Sequence, residues 1–292
     1  MAAERVWSCK DALDWTVTYL KRSGDETPRR SAEWLLSAAT GLSRIELYAF
    51  HDRPLSPEER TRYRELIERR AQGMPLQYVS GEMPFRHLVI KVTPGVFIPR
   101  PETEVLVDAA LARMPTSPLI IDLCTGSGCV AVSIAHERPD ATVHATDVSE
   151  AAVEAARRNA LYAEVPERVQ VVHGDLFSPL STGLRGRVDV IVSNPPYIPS
   201  ADLQDLPTEV LGFEPHLALD GGPDGLDVAR RIWTQACAWL KPGGVLLMEL
   251  DSGRVQMAAD ELGDEYTGVE VLKDLTGKDR VVVARKVEAM EP

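Results

Sequence analysis

The sequence predicts an α/β protein in which a doubly wound, mainly parallel sheet follows a small helical bundle. Three observations carry that prediction. Up to residue 81 every strong apolar pattern has helical spacing. From residue 119 onward, short β-branched runs alternate with helical segments, and the first of those runs ends in a glycine turn, Gly126-Ser127-Gly128. Strands that alternate with helices build a parallel sheet covered on both faces.

At the N-terminal end, Ala12, Leu13, Trp15, Val17, Tyr19 and Leu20 form an apolar face that stops at Gly24, and Trp34, Leu35, Leu36 and Ala38 form another before Gly41. A third piece covers 43–50. The fourth helix has an explicit start, with Ser56 as N-cap, Pro57 at the first helical position and Glu59 closing a capping box, and it ends near Gly73. Trp7, Trp15 and Trp34 are expected in the core of this bundle, which takes residues 1–81. Residues 82–101 read as a hairpin linker: Leu88, Ile90 and Val92 alternate, Pro94-Gly95 marks a turn, and Val96-Phe97-Ile98 resumes. The third domain, 102–292, opens with a helix from about Glu102 to Met114. Strands are expected at 119–124, 142–146, 169–173, 188–193 and 245–249, with helices at 150–161 and 227–240. Two last runs, 267–271 and 280–284, are too close for a parallel crossover and should pair antiparallel, which completes seven strands.

Composition narrows the class. Apolar residues at 44% and charged residues at 26% suit an ordinary globular protein. No apolar run approaches the roughly 20 residues of a membrane span, and Met1–Arg5 lacks the apolar core of a signal peptide. The four cysteines, Cys9, Cys124, Cys129 and Cys237, form no CxxC pair and read as reduced thiols of a cytoplasmic protein; neither they nor the scattered histidines support a metal site. Net charge is −12, with 32 Lys and Arg against 44 Asp and Glu. Gripping nucleic acid through phosphates calls for a basic patch. The one basic stretch, Arg60 to Arg70, is interrupted by Glu65 and Glu68 and reads as a solvated helix face. Stable nucleic-acid binding and membrane association are therefore not expected.

The first strand of the sheet runs into Asp122-Leu123-Cys124-Thr125-Gly126-Ser127-Gly128. Glycines there let the backbone turn sharply and approach a ligand at the N-terminus of the next helix. Asp147, closing the second strand, is placed to accept hydrogen bonds from a ribose diol. The run 126–131 also fits the dinucleotide pattern G-x-G-x-x-G/A with an acid about 20 residues on. A nicotinamide dinucleotide and S-adenosylmethionine thus both stay open here, beside the plain reading of a ligand-free turn. Two features favour S-adenosylmethionine. Asp175 and Leu176, in Gly174-Asp175-Leu176-Phe177, offer an acid and an apolar surface for an adenine amino group and ring. Asp122 suits a cationic sulfonium ligand with an amino group better than a pyrophosphate, unless it only braces the loop.

Asn194-Pro195-Pro196-Tyr197 stands at the carboxyl end of the fourth strand, where ligands bind in open α/β sheets. Consecutive prolines remove backbone N–H groups and fix φ, which holds the local carbonyls out as acceptors. The Asn194 side-chain oxygen and the Pro195 carbonyl can then take both hydrogens of one NH₂ group, with Tyr197 stacked on the plane that carries it. An amide or aromatic amine nitrogen is a poor nucleophile because its lone pair is delocalised. Two fixed acceptors favour a pyramidal nitrogen with that pair aimed at a sulfonium methyl, and no strong base is required. A strand-ending turn is the bland alternative; the glycine loop and Asp147 at matching strand ends favour the functional one.

On these residues the chain resembles the bacterial protein-(glutamine-N5) methyltransferase family, which modifies the glutamine of the Gly-Gly-Gln motif in class I peptide chain release factors. The likeness covers nearly the whole chain. It rests on Pro75-Leu76-Gln77-Tyr78, Phe97-Ile98-Pro99-Arg100-Pro101-Glu102-Thr103-Glu104, the Asp122–Gly128 turn, Gly174–Phe177, Asn194–Ile198, Phe213-Glu214-Pro215, Leu240-Lys241-Pro242-Gly243-Gly244 and Gly277-Lys278-Asp279-Arg280. Asn-Pro-Pro-Tyr alone is shared with adenine-N6 DNA methyltransferases and some ribosomal RNA enzymes. A sister family acting on a ribosomal-protein glutamine usually has Ser-Pro after the linker arginine, so Pro101-Glu102 favours the release-factor branch.

The resemblance implies a Rossmann-like, seven-stranded S-adenosylmethionine-dependent methyltransferase domain that releases S-adenosylhomocysteine. Cys124, Thr125, Gly126, Ser127, Gly128, Asp147, Asp175, Leu176 and Asn194 would hold the cofactor. Asn194, Pro195, Pro196 and Tyr197 would bind the substrate glutamine, with Asn194, Pro195 and Tyr197 catalytic and no metal. The N-terminal domain would dock the release factor. Arg100 is expected either at the ligands or in a salt bridge to a glutamate, and Glu214 to support a loop over 199–222. One departure is visible: Glu249-Leu250-Asp251-Ser252-Gly253 replaces the family's Glu-Ile-Gly, and the glutamine expected soon after falls late, at Gln256. The exit of the fifth strand is expected to be rebuilt there.

Overall fold

A computed structural model describes residues 6–288. They divide into two compact units, one drawn from Met1–Glu82 and Pro207–Phe213, the other from Met83–Leu206 and Glu214–Pro292. Among the described residues no helix is long and apolar enough to cross a membrane.

The first unit is helical: α1 (Cys9–Arg22), α2 (Pro28–Thr40), α3 (Arg44–Ala49), α4 (Pro57–Ala71) and α5 (Leu76–Ser80). Reciprocal capping boxes start three of them, Ser8 with Asp11, Ser43 with Glu46 and Ser56 with Glu59, satisfying N–H groups a helix start leaves unpaired. The core gathers Leu13, Leu20, Leu35, Leu36, Leu47, Tyr63 and Ile67. Trp7 and Trp34 pack at its margin. Trp15 does not belong to it: the side chain is 49% exposed, edge-on to Trp7 and stacked on Tyr19. The buried stripe of α1 is Cys9, Ala12, Leu13, Thr16 and Leu20, and Trp15 lies roughly 120° round the helix from it. Arg70 on α4 ties in the 207–213 segment, pairing with both Asp25 (2.8 Å) and Glu209 (3.0 Å).

A two-stranded hairpin follows, β1 (Glu82–Phe85) and β2 (Leu88–Lys91). Its turn is at Arg86-His87, with Arg86 at φ 52°, and not at Pro94-Gly95. Residues 96–98 form no strand; the Ile98 N–H is taken by the Glu214 carboxylate (3.2 Å) instead of a ladder partner. A short 3₁₀ turn, Pro101–Thr103, then leads into α6 (Glu104–Leu111), so this helix is shorter at both ends than its sequence suggests.

The sheet takes β3 (Leu119–Leu123), β4 (Thr142–Asp147), β5 (Val169–His173), β6 (Val188–Ser193), β7 (Leu240–Glu249), β8 (Tyr266–Lys273) and β9 (Asp279–Lys286) in the order β5-β4-β3-β6-β7-β9-β8. All pairs are parallel except those of β9, which runs antiparallel to β7 and β8. The connecting helices are α7 (Cys129–Glu137) and α8 (Glu150–Tyr162), a single turn α9 (Thr208–Leu211) that belongs to the first unit, then α10 (Asp227–Ala236) and α11 (Val255–Glu261). The chain builds β3, β4 and β5 outward on one side and then returns to add β6 beside β3. That reversal opens a crevice at the carboxyl ends of β3 and β6.

Register fixes what lines it. Leu123 pairs with Thr146 and with Ser193, and Ser193 pairs with Met248. One residue further along each strand stand Cys124, Asp147, Asn194 and Glu249. Four chemically distinct residues therefore share one edge of the sheet.

Candidate active site

The glycine turn is held from beneath and from the side. Thr125 donates its N–H to Thr146 O (3.1 Å) and its hydroxyl to Asp122 (2.6 Å). Asp122 is 1% exposed, and burial pushes its carboxyl up to about 7 against the Thr125 hydrogen bond. It braces the turn. Asp147 receives the Gly126 N–H on one oxygen and the Ser149 N–H on the other, both at 2.9 Å. Two backbone donors partly offset the burial that raises its carboxyl. The two glycines do different work. A Cβ on Gly126 would meet nothing within 4 Å, whereas one on Gly128 would stand 2.8 Å from the Ala156 Cβ. The loop is thus open on its ligand side and closed against α8, the shape an extended nucleoside ligand requires. Burial raises the Cys124 and Cys129 thiols, so both are neutral.

After β5, Gly174 donates to Asp147 O (2.9 Å) and the Leu176 carbonyl accepts from the Thr146 hydroxyl (2.9 Å). The Leu176 side chain is buried in the core with Phe177. Asp175 is exposed and paired with Arg231.

At the end of β6 the Ser193 hydroxyl donates to Leu123 O (2.8 Å), which ties the two strand exits together. Asn194 follows, and its side-chain nitrogen donates to the Thr103 hydroxyl (3.2 Å). Its oxygen and the Pro195 carbonyl are left without a protein donor among the described residues. Ile198 N donates to Leu219 O (2.9 Å) and Gly221 N to Ile198 O (2.8 Å), so the segment is stitched to the chain after Leu219. That chain approaches closely: a Cβ on Gly221 would fall 2.8 Å from Pro196 O and from the Tyr197 Cα. The Tyr197 side chain packs against the core of the unit, where burial raises its hydroxyl.

Two residues complete the site that local sequence patterns did not single out. Thr103 is 1% exposed and its hydroxyl accepts from the Asn194 side-chain nitrogen. Glu249 is also 1% exposed, its Oε2 has no protein partner, and burial pushes it up to about 7. An acid that closes the apolar run Val245–Met248 was the available signal. Arg100 forms a salt bridge with buried Glu214, whose other oxygen takes the Ile98 N–H; Arg100 also covers the Phe97 ring. Of the two expectations for Arg100, the structural pair is the one present. The unusual 249–253 stretch resolves into a turn: Asp251 accepts from Gly253 N (2.6 Å) and Arg254 N (3.1 Å) just ahead of α11. Gln256 lies on that helix, bonded to Asp260. No His, Cys, Asp or Glu cluster able to hold a metal ion occurs among the described residues.

Residues 11–81 match the family model described as the PrmC N-terminal domain, and 88–209 match the methyltransferase small domain. The release factor glutamine methyltransferase of Geobacter sulfurreducens is 44% identical over 281 residues, spanning 96% of this chain and 97% of its own length. That of Moorella thermoacetica is 44% identical over 283 residues, spanning 96% and 99%. Among solved structures, the T. thermophilus 16S rRNA N2 G1207 methyltransferase in complex with AdoMet and guanosine aligns with a TM-score of 0.52 at 20% identity, over 70% of this chain and 49% of that one. A Pyrococcus furiosus methyltransferase aligns at 0.51 with 21% identity, over 68% and 88%. At such identities the structural likeness speaks for the fold alone.

Proposed function

We propose, from the premise that the chain belongs to the release factor glutamine methyltransferase family, that Asn194 to Tyr197 present a release-factor glutamine for methylation at N5. The enzyme is an S-adenosylmethionine-dependent methyltransferase. The substrate is the glutamine of the Gly-Gly-Gln motif in class I release factors, and recognition of the rest of that protein falls to the helical unit, over which the N-terminal family model matches.

One observation carries the chemical reading. The Asn194 nitrogen is committed to Thr103, which leaves its oxygen and the neighbouring Pro195 carbonyl as paired, unengaged acceptors beside the glycine turn. They take the two hydrogens of the glutamine amide, and the Tyr197 ring lies against its plane. Bound in this geometry, the nitrogen lone pair is turned out of conjugation and toward the cofactor side of the crevice. Cys124 to Gly128 would line the cofactor's path, Asp147 would take its ribose hydroxyls, and Asp175 with Leu176 would lie at its adenine. Bound there, S-adenosylmethionine would supply the electrophilic methyl group, with S-adenosylhomocysteine as the product. The methylated nitrogen is strongly acidic and loses its extra proton without a dedicated base.

The test is radiolabelled methyl transfer to purified release factor, to the same protein with Gln→Ala in its Gly-Gly-Gln loop, and to RNA. Label only on the intact loop is expected; label on RNA, or label indifferent to the Gln change, refutes the substrate. Asn194→Ala should lower turnover by about 10²-fold or more, as loss of a preorganised dipole does, with the fold retained. Near-normal turnover would remove the two-acceptor mechanism.

A further inference from the structure

We propose that residues 219–227 form a fixed backstop for the Asn194–Tyr197 segment, and that Gly225 and Arg230 are positioning residues that set where the Pro195 carbonyl stands. The inference rests on reading Asn194 to Tyr197 as the site of the substrate amide. Pro195 and Pro196 have no N–H to give, so this stretch cannot be held by donating to a neighbouring strand. Just past it, Ile198 N donates to Leu219 O (2.9 Å), Gly221 N to Ile198 O (2.8 Å) and Ser200 N to Gly222 O (2.9 Å). Direct contact does the rest. A Cβ on Gly221 would fall 2.8 Å from Pro196 O and from the Tyr197 Cα. One on Gly225, at φ 84°, would run into Tyr197 O and stand 3.1 Å from its carbonyl carbon. Two glycines thus let backbone lie directly on backbone, and the segment has no room to retreat on that side.

The backstop is itself anchored. Asp220 accepts from Ser200 Oγ (2.7 Å) and Gly222 N (2.9 Å), and Asp227 N, opening α10, donates to Gly221 O (2.9 Å). One residue before Gly225, Asp224 takes the Leu226 N–H (3.1 Å) and two bonds from the Arg230 guanidinium (2.9 and 2.6 Å). Arg230 grips Glu261, at the end of α11, through two more (2.7 and 2.8 Å). A guanidinium that holds two carboxylates bidentately is fixed in direction, unlike an isolated surface pair. The anchor runs from α11 through Arg230 and Asp224 to Gly225, and ends on the Tyr197 peptide. A methyl group added at Gly225 therefore displaces that peptide, unless the anchor is loosened and the backstop gives way instead.

The test measures kcat and KM for methyl transfer in wild type, Gly225→Ala, Arg230→Met, the double variant and Gly277→Ala. Gly277 has the same φ of 84° with nothing within 4 Å of an added Cβ. Its variant carries the backbone strain alone, and its kcat should match wild type. Gly225→Ala should lower kcat by about tenfold or more, since a misplacement of about 1 Å costs up to about 10²-fold, with the S-adenosylmethionine KM nearly unchanged. Arg230→Met should lower kcat less. The double variant should turn over at least as fast as Gly225→Ala, because residues that act through one contact are not additive. Losses that multiply, or a Gly225→Ala kcat equal to that of Gly277→Ala, overturn the proposal. Hydrogen exchange at the Ile198 and Gly221 amides needs no turnover. Both should exchange about tenfold faster in Arg230→Met, as loss of hydrogen bonds to charged groups predicts, and equal rates overturn the proposal too. If wild type fails to methylate the release factor, the functional reading falls and exchange still decides the backstop. If Gly225→Ala loses its fold, kcat and exchange in Arg230→Met decide it.

Discussion

Burying Glu249 should leave a measurable mark on stability. Its carboxyl is raised from 4.5 to about 7, chiefly by burial. Below the lower value both folded and unfolded chains are protonated there, and the group has no effect. As pH rises toward 7 the unfolded chain ionises and the folded one resists, so unfolding releases a proton and stability falls. Above 7 the loss is complete. At ~1.4 kcal/mol per pKa unit the full penalty is about 3 kcal/mol. Glu249→Gln keeps the shape and removes the titration. The assay is urea unfolding of both proteins at about pH 5 and about pH 8.5, compared as a difference of differences. Any fixed cost of a buried glutamine cancels, and so does Asp122, which burial raises in the same direction in both proteins. The wild type should lose ~2–3 kcal/mol more than the variant across that range. Parallel curves would show that Glu249 is not the buried, proton-holding acid described above.

Gly128→Ala should destabilise by about 2–4 kcal/mol, because the added Cβ meets Ala156 at 2.8 Å in a residue at φ 80°; a thermal midpoint within a degree or so of wild type would contradict it. Asp147→Asn replaces a carboxylate that holds Gly126 and Ser149. The S-adenosylmethionine KM should rise about tenfold or more, since hydrogen bonds to a charged acceptor are worth ~1.5–3 kcal/mol, and an unchanged KM would remove Asp147 from the cofactor site. Glu214→Gln leaves Arg100 without its buried partner. It should cost about 2 kcal/mol, below the full price of a broken buried pair because Arg100 is partly exposed, and a neutral result in urea unfolding would refute the brace.

How far the fold could be read depends on what each stretch of chain decides locally. Strands 169–173 and 188–193 are found where their apolar, β-branched runs put them, since a short buried strand is delimited by its own composition. The hairpin is displaced because the real turn uses Arg86 at φ 52°, a residue that announces no turn, while Pro94-Gly95 announces one and forms no strand after it. The helix before β7 ends at Ala236, although Trp239 and Leu240 continue its apolar spacing. Leu240 is claimed by pairing with Val188, and no periodicity contains that competition. Trp15 fails for a related reason: its hydrophobicity suggests the core, and its angular position on α1 puts it on the surface.

The site divides along the same line. The glycine turn, Asp147 and Asn194-Pro195-Pro196-Tyr197 are legible because each is a strand end whose chemistry sits in consecutive residues. Thr103 is 91 positions from the Asn194 it contacts, and only the folded sheet brings it there. Glu249 occupies an intermediate place. Once β6 and β7 are known to be parallel neighbours, pairing of Ser193 with Met248 puts Asn194 and Glu249 at the same level, one residue past the pair. A sequence that names its strand ends therefore comes close to naming this acid.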